Sequence, residues 1–193
     1  LTCNWEPDGI QHPDLMGPDI AFSHALSFGR VDWTGNFRDG FALSITNVYT
    51  YDFSKPDNVA PEINWAVQGY KSVAGIFAVN GQFTGYSRLD GSIKTNAAAT
   101  LRGISDDRIH SDQVFMLNVD LPVKIFTIDF EKTKNFKKLD IFSVEVQLSP
   151  FVDAALFHDP VRGTYFAPAD GFYSGGLEMI LFPKKMRSIY GRA

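Results

Sequence analysis

From residue 21 onward, side chains alternate with a period of two, the spacing of a strand rather than of a helix. In Ala21–Phe28 the even positions are Phe22, His24, Leu26 and Phe28, and the odd ones are Ala21, Ser23, Ala25 and Ser27. A short helix capped by Asp19 and closed by Gly29 is the rival reading, but the regular small/large alternation favours a strand. In Phe41–Phe53 the odd positions are Phe41, Leu43, Ile45, Asn47, Tyr49, Tyr51 and Phe53, against Ala42, Ser44, Thr46, Val48, Thr50 and Asp52. This pattern predicts a strand with one buried and one wet face. The larger side chains, Phe22, Ile45 and Phe77 among them, are expected on the inner face.

Further strands are expected over Ile63–Tyr70, Val73–Ser87, Ser92–Gly103, Gln113–Leu121, Val123–Lys132, Leu139–Leu148 and Phe172–Phe182. Glycines inside Val73–Ser87 suggest bulges or barrel corners. Turn signals fall at Lys55-Pro56-Asp57-Asn58 and Leu89-Asp90-Gly91. Ser149-Pro150 reads as the N-cap and first position of a short helix over Ser149–Leu156. Many strands with Gly, Pro and Asp turns predict an all-β fold: an antiparallel β-barrel, lipocalin-like or allene-oxide-cyclase-like in general shape, with a two-sheet β-sandwich as the alternative. Residues 1–20, rich in Pro, Asp and Gly, are read as an irregular arm, and 21–193 as one barrel domain.

Composition narrows the function classes. The chain has 193 residues, 17 of them Phe, and a formal charge of −4. No basic field exists to hold nucleic acid. Lys132, Lys134, Lys137 and Lys138 form the one basic cluster, expected as a solvated hairpin turn. A single cysteine, Cys3, is read as excluding an internal disulfide and any cysteine-based zinc site. No nucleotide loop, nucleophile elbow or paired metal-ligand spacing appears, so no cofactor and no metal are expected. The non-Met start and the arm lean towards an exported chain. No apolar run approaches the ~20 residues of a membrane helix, and no integral membrane insertion is expected.

The candidate site rests on polar residues at positions expected to be apolar. His24 shares a face with Phe22, Leu26 and Phe28 and is a candidate proton donor or acceptor, against the plainer reading of a hydrogen-bonded core histidine. Asn47, between Ile45 and Tyr49, could orient a ligand carbonyl. Glu178, between Leu177 and Met179, would act as a general acid if buried and is an ordinary surface carboxylate otherwise. Tyr49, Tyr51, Trp65 and Phe77 are expected to line the pocket, and the small stripe Thr95, Ala97 and Ala99 to leave room in it.

These residues suggest a cofactor-independent pocket that binds a small, largely apolar molecule, with a cyclase or isomerase as its enzymatic form. The alternative is a structural, surface or capsid-type sandwich that assembles into homo-oligomers. An outer-membrane barrel also fits the alternation. It fits poorly with Lys184-Lys185-Met186-Arg187, and with Ser44, Thr46 and Thr50 read as an outward face.

Overall fold

In a computed structural model of the chain, which describes residues 2–4, 19–53, 59–93, 101–103, 110–130, 143–183 and 191–192, nearly all regular structure is strand. The strands are β1 (Thr2–Asn4), β2 (Asp19–Thr34), β3 (Phe37–Asp52), β4 (Val59–Val73), β5 (Phe77–Arg88), β6 (Gln113–Asp120), β7 (Val123–Ile128), β8 (Val144–Asp159), β9 (Thr164–Tyr165), β10 (Phe172–Pro183) and β11 (Gly191–Arg192). One 3-10 turn, Pro168–Asp170, interrupts them. The fold is all-β, as the alternation predicts.

All pairings are antiparallel, in the order β1-β2-β3-β4-β5-β6-β8-β10-β11, with β7 beside β5 and β8, and β9 on β8. β6 and β7 form one course along β8, broken at Leu121-Pro122. Pro122 has no N–H to give a ladder. Leu121 donates its N–H to the Pro150 carbonyl at 3.0 Å, so Pro150 directs its own missing donor at the same break. The sheet curls. At the end carrying the tight turns, Trp33 of β2 meets Phe182 of β10 with ring centroids 6.3 Å apart. Gly29 and Gly40, at φ 107 and φ 121 on the neighbouring strands β2 and β3, adopt a backbone that a side chain disfavours.

Two local expectations need correction, and a third falls mostly outside the described residues. Ser149–Leu156 is not a helix. It lies within β8, whose unbroken register with β10 runs from Phe172↔Ala155 to Pro183↔Val144. Two long neighbours offering ladder bonds outweigh a local capping signal. Ile20 and Asp19 belong to β2, and Thr2–Asn4 pair with it, so the first 20 residues are not wholly an irregular arm. Ser92–Gly103 is described only at its ends, and neither end is strand. The lysine cluster at 132–138 and the 184–187 segment lie outside the described residues.

The largest correction concerns the faces. Opposed residues in an antiparallel register share a face, so parity can be carried from strand to strand. Asp153 is fully buried, and its face includes Asn118, Gln82, Gln68, Ala42 and Gly29 in successive strands. Phe22, Ile45 and Phe77 lie on the opposite, outer face and are exposed. So do Leu26 at 69%, Phe28 at 67%, Val152 at 61% and Leu177 at 60%. Ser44, Thr46 and Thr50 face inward, the reverse of the expectation.

Trp65 lies flat across its cross-strand partner Gly85 on the outer face, packing on Phe83 at 4.8 Å and Phe115 at 5.7 Å. A Cβ at Gly85 would sit 2.5 Å from the Trp65 ring and 2.8 Å from the Val114 carbonyl oxygen. Gly85→Val is expected to lower stability by about 1–3 kcal/mol and to change tryptophan emission. Thermal melting and fluorescence of the variant check this.

Candidate functional site

The interior has three zones. At the end carrying the longer connections, Leu101, from the β5–β6 connection, is buried against Tyr86, Val114, Met116 and Ala155, with Phe157 and Phe172 beside it. The Tyr86 hydroxyl donates to the Ser111 carbonyl at 2.7 Å, and burial holds its pKa well above the ordinary tyrosine value. A piece of connecting chain therefore enters the interior and stoppers that end.

The next residue carries the charge chemistry. Arg102 donates to Asp153 through its backbone N–H at 3.0 Å, Nε at 2.8 Å and Nη2 at 2.5 Å. Its Nη1 binds Asp120, and reaches Glu178 at 3.3 Å. The guanidinium lies 3.9 Å over the Phe151 ring. Burial opposes charge on Asp153, but the hydrogen bonds from Arg102 and Asn118 outweigh it and hold the carboxyl below its usual range. Burial likewise opposes charge on Arg102, and the bonds to Asp153 and Asp120 overcome it, keeping the guanidinium protonated. One cation thus stands among three carboxylates.

Beyond the network, towards the tight turns, lies a cavity of about 340 Å³. Arg38, Tyr70, Trp33 and Phe182 wall one part of it, and Asn80, Gln82, Asn118 and Gln147 another. The Arg38 guanidinium lies 5.3 Å from each of the Trp33 and Tyr70 ring centroids and donates to the Tyr70 hydroxyl at 3.2 Å. Among the described residues no carboxylate pairs with it. Also among the described residues, no three His, Cys, Asp or Glu side chains cluster as metal ligands.

The residues expected at one site are dispersed. His24 and Asn47 do meet, as direct cross-strand partners with Nε2 and Nδ2 2.9 Å apart, but on the outer face. His24 also stacks on Tyr49 at 6.0 Å. Tyr49, Tyr51, Trp65 and Phe77 share that outer face, so none lines an interior pocket. Glu178 alone is inside, as a partner of Arg102. Thr95, Ala97 and Ala99 lie outside the described residues. The sequence reading missed Arg38, Tyr70, Asn80, Gln82, Arg102, Asp120 and Asp153. For all but Arg102, which lies in a connection, the signal was the parity opposite to the aromatic stripe, a face taken for solvent.

No protein-family model, no curated protein and no solved structure matches this chain.

Removing one partner of the buried network leaves the rest uncompensated. Asp153→Asn is expected to cost about 3–5 kcal/mol. Because the folded-state pKa of Asp153 is depressed, its contribution is complete above the ordinary carboxyl pKa of 3.8 and is lost as pH falls through the folded value. Melting curves of the wild type should therefore be level above about pH 5 and decline below about pH 4, more shallowly in Asp153→Asn.

Proposed function

We propose that this chain is a membrane-spanning β-barrel whose apolar outer face contacts lipid and whose interior is polar and partly stoppered. The observation that carries this reading is a single parity held through seven adjacent courses: mostly large apolar side chains outward, and Ser, Thr, Asn, Gln and paired charges inward beside the apolar cluster around Leu101. In water that arrangement is inverted. Apolar surface that is continuous across many strands is covered in a working protein, by lipid or by another protein.

Dimensions support lipid. From Phe41 to Tyr51 the outer face of β3 is apolar but for Asn47. Ten residue steps make roughly 34 Å of strand, which a tilt of about 40° projects onto about 26 Å, close to the ~25 Å band of transmembrane barrels. Aromatic rings stand on the outside towards both ends: Phe22, Tyr49, Trp65, Phe115 and Tyr173 towards the longer connections, and Phe28, Phe41 and Phe77 nearer the tight turns. Towards the tight turns the outward residues become charged, with Arg30 paired to Asp32 and Lys71 to Asp39. The polar pair within the band, His24 and Asn47, shares one hydrogen bond. Among the described residues no helix is long and apolar enough to cross a membrane, and a closed barrel of strands is the other architecture that satisfies its backbone in lipid.

This reading replaces the pocket for an apolar ligand, because the rings proposed to line it are outside. It also revises the expectation of no membrane insertion. Ser44, Thr46 and Thr50, which counted against an outer-membrane barrel when read as outward, count for one when they face in.

The full chain is expected to give a β-rich circular-dichroism spectrum in detergent micelles or vesicles and to aggregate without them. A monodisperse monomer in detergent-free buffer would refute the proposal. A discrete oligomer there would assign the band to contacts between copies instead. Ile45→Arg separates lipid from water further: it should cost about 2–4 kcal/mol in vesicles, whereas an exposed site in water changes stability by only about 0.5 kcal/mol.

A further inference from the structure

Arg38 is placed unlike the other interior cations among the described residues. Arg102 is neutralised by carboxylates, Arg88 by Glu62 at 3.0 Å, and Lys124 by Glu145 at 2.7 Å. Arg38 has aromatic rings and one phenol hydroxyl instead. Trp33 and Tyr70 flank the guanidinium and the Tyr70 hydroxyl accepts one of its N–H groups, which reduces the side-chain freedom to be lost when it receives a ligand. Its remaining N–H groups have no protein acceptor among the described residues, and the residue borders the cavity. A rigid fork of this kind fits the paired oxygens of a carboxylate or phosphate.

The rest of the wall asks for hydroxyls. Asn80 presents a buried Oδ1 that accepts no hydrogen bond among the described residues. Gln82 and Gln147 add carboxamides, groups that both donate and accept, as a polyol does. Phe182 and the edge of Trp33 give an apolar side against which C–H groups can pack. The volume of about 340 Å³ sits at the small end of ligand sites. Arg102 and Asp120 close the inner side, where Arg102 already gives its donors to carboxylates, so an acid group is directed to Arg38.

We propose that the cavity beside the tight turns binds a small hydroxylated anion, of the sugar-acid or sugar-phosphate kind, with its acid group on Arg38 and its hydroxyls on Asn80 and Gln82. This assignment concerns the interior and holds whatever covers the outer face.

The test uses the full chain, folded in detergent micelles, or in buffer if it folds there. Gluconate, glucose 6-phosphate and the uncharged polyol sorbitol are titrated by calorimetry. At least one of the two anions is expected to bind with a Kd below 1 mM, about −4 kcal/mol, and sorbitol at least tenfold more weakly. Which anion binds more tightly tells carboxylate from phosphate. Arg38→Gln should weaken the anion tenfold or more while leaving sorbitol unchanged, and Arg38→Lys should fall between. Arg30→Gln, an outward cation outside the cavity, should leave all three titrations as in the wild type. Should Arg38→Gln fail to fold, Gln82→Ala is the second variant, expected to weaken the anion and sorbitol alike. Absence of binding by both anions in the folded wild type would overturn the proposal. So would equal binding by sorbitol, or an anion affinity indifferent to both Arg38→Gln and Gln82→Ala.

Discussion

The whole molecule depends on register. In an antiparallel pair, the identity of one opposed couple fixes the face of every other residue in both strands, because the side-chain period is two. Here the couple His24↔Asn47 sets β2 against β3, Asn47↔Ile63 sets β3 against β4, and the same parity passes without interruption to β10. A slip of β8 by one residue would bring Asp153 and Gln147 to the outside and Leu148, Val152 and Leu156 to the inside. The ion network guards against that slip, since Arg102 can reach Asp153, Asp120 and Glu178 together only when β6, β8 and β10 are aligned as they are.

The alternation showed where the strands are but not which way they face. Phe22, Leu26 and Phe28 against Ser23, Ala25 and Ser27 reads identically for a barrel full of rings and for one wrapped in them. Water ordinarily decides the question, and an apolar interior is the default for that reason. The clue against the default was the poverty of charge on the other face. Ala21, Ser23, Ala25, Ser27, Ala42, Ser44, Thr46 and Thr50 are small and neutral, where a face meeting bulk water usually carries Lys and Glu. Ser149-Pro150 misled for a different reason. A helix start and an edge-compatible proline use the same residues, and only the break at Pro122 in the neighbouring course shows which use applies. Arg102 had no signal of its own, being an isolated charge in a connection far in sequence from its three partners.

An interior of this kind is held together differently from an ordinary core. The apolar cluster around Leu101 is modest, and much of the remaining cohesion is polar: fully buried Asp153, Gln147 and Ser149 on β8, and the charges facing them. Hydrogen bonds to charged groups are worth more away from water, and cost more when broken. Specificity follows from this, because a charged cluster has few acceptable arrangements whereas an apolar one has many. The β2–β3 side contributes small residues instead, and Ser23, Ala25 and Ser27 remain accessible to solvent on their inward side. The interior is thus filled against one wall and roomy against the other.

The two prolines at one level have an effect on shape. Pro122 and Pro150 leave adjacent courses without a rung at the same height, and a one-residue irregularity follows between Lys124 and Phe126. A sheet bends most easily where its ladder is already missing a bond. Pro122 also borders the cavity. The wall is thus least tethered beside the cavity, and a change of backbone angle there would alter the breadth of the chamber without any change of side chain.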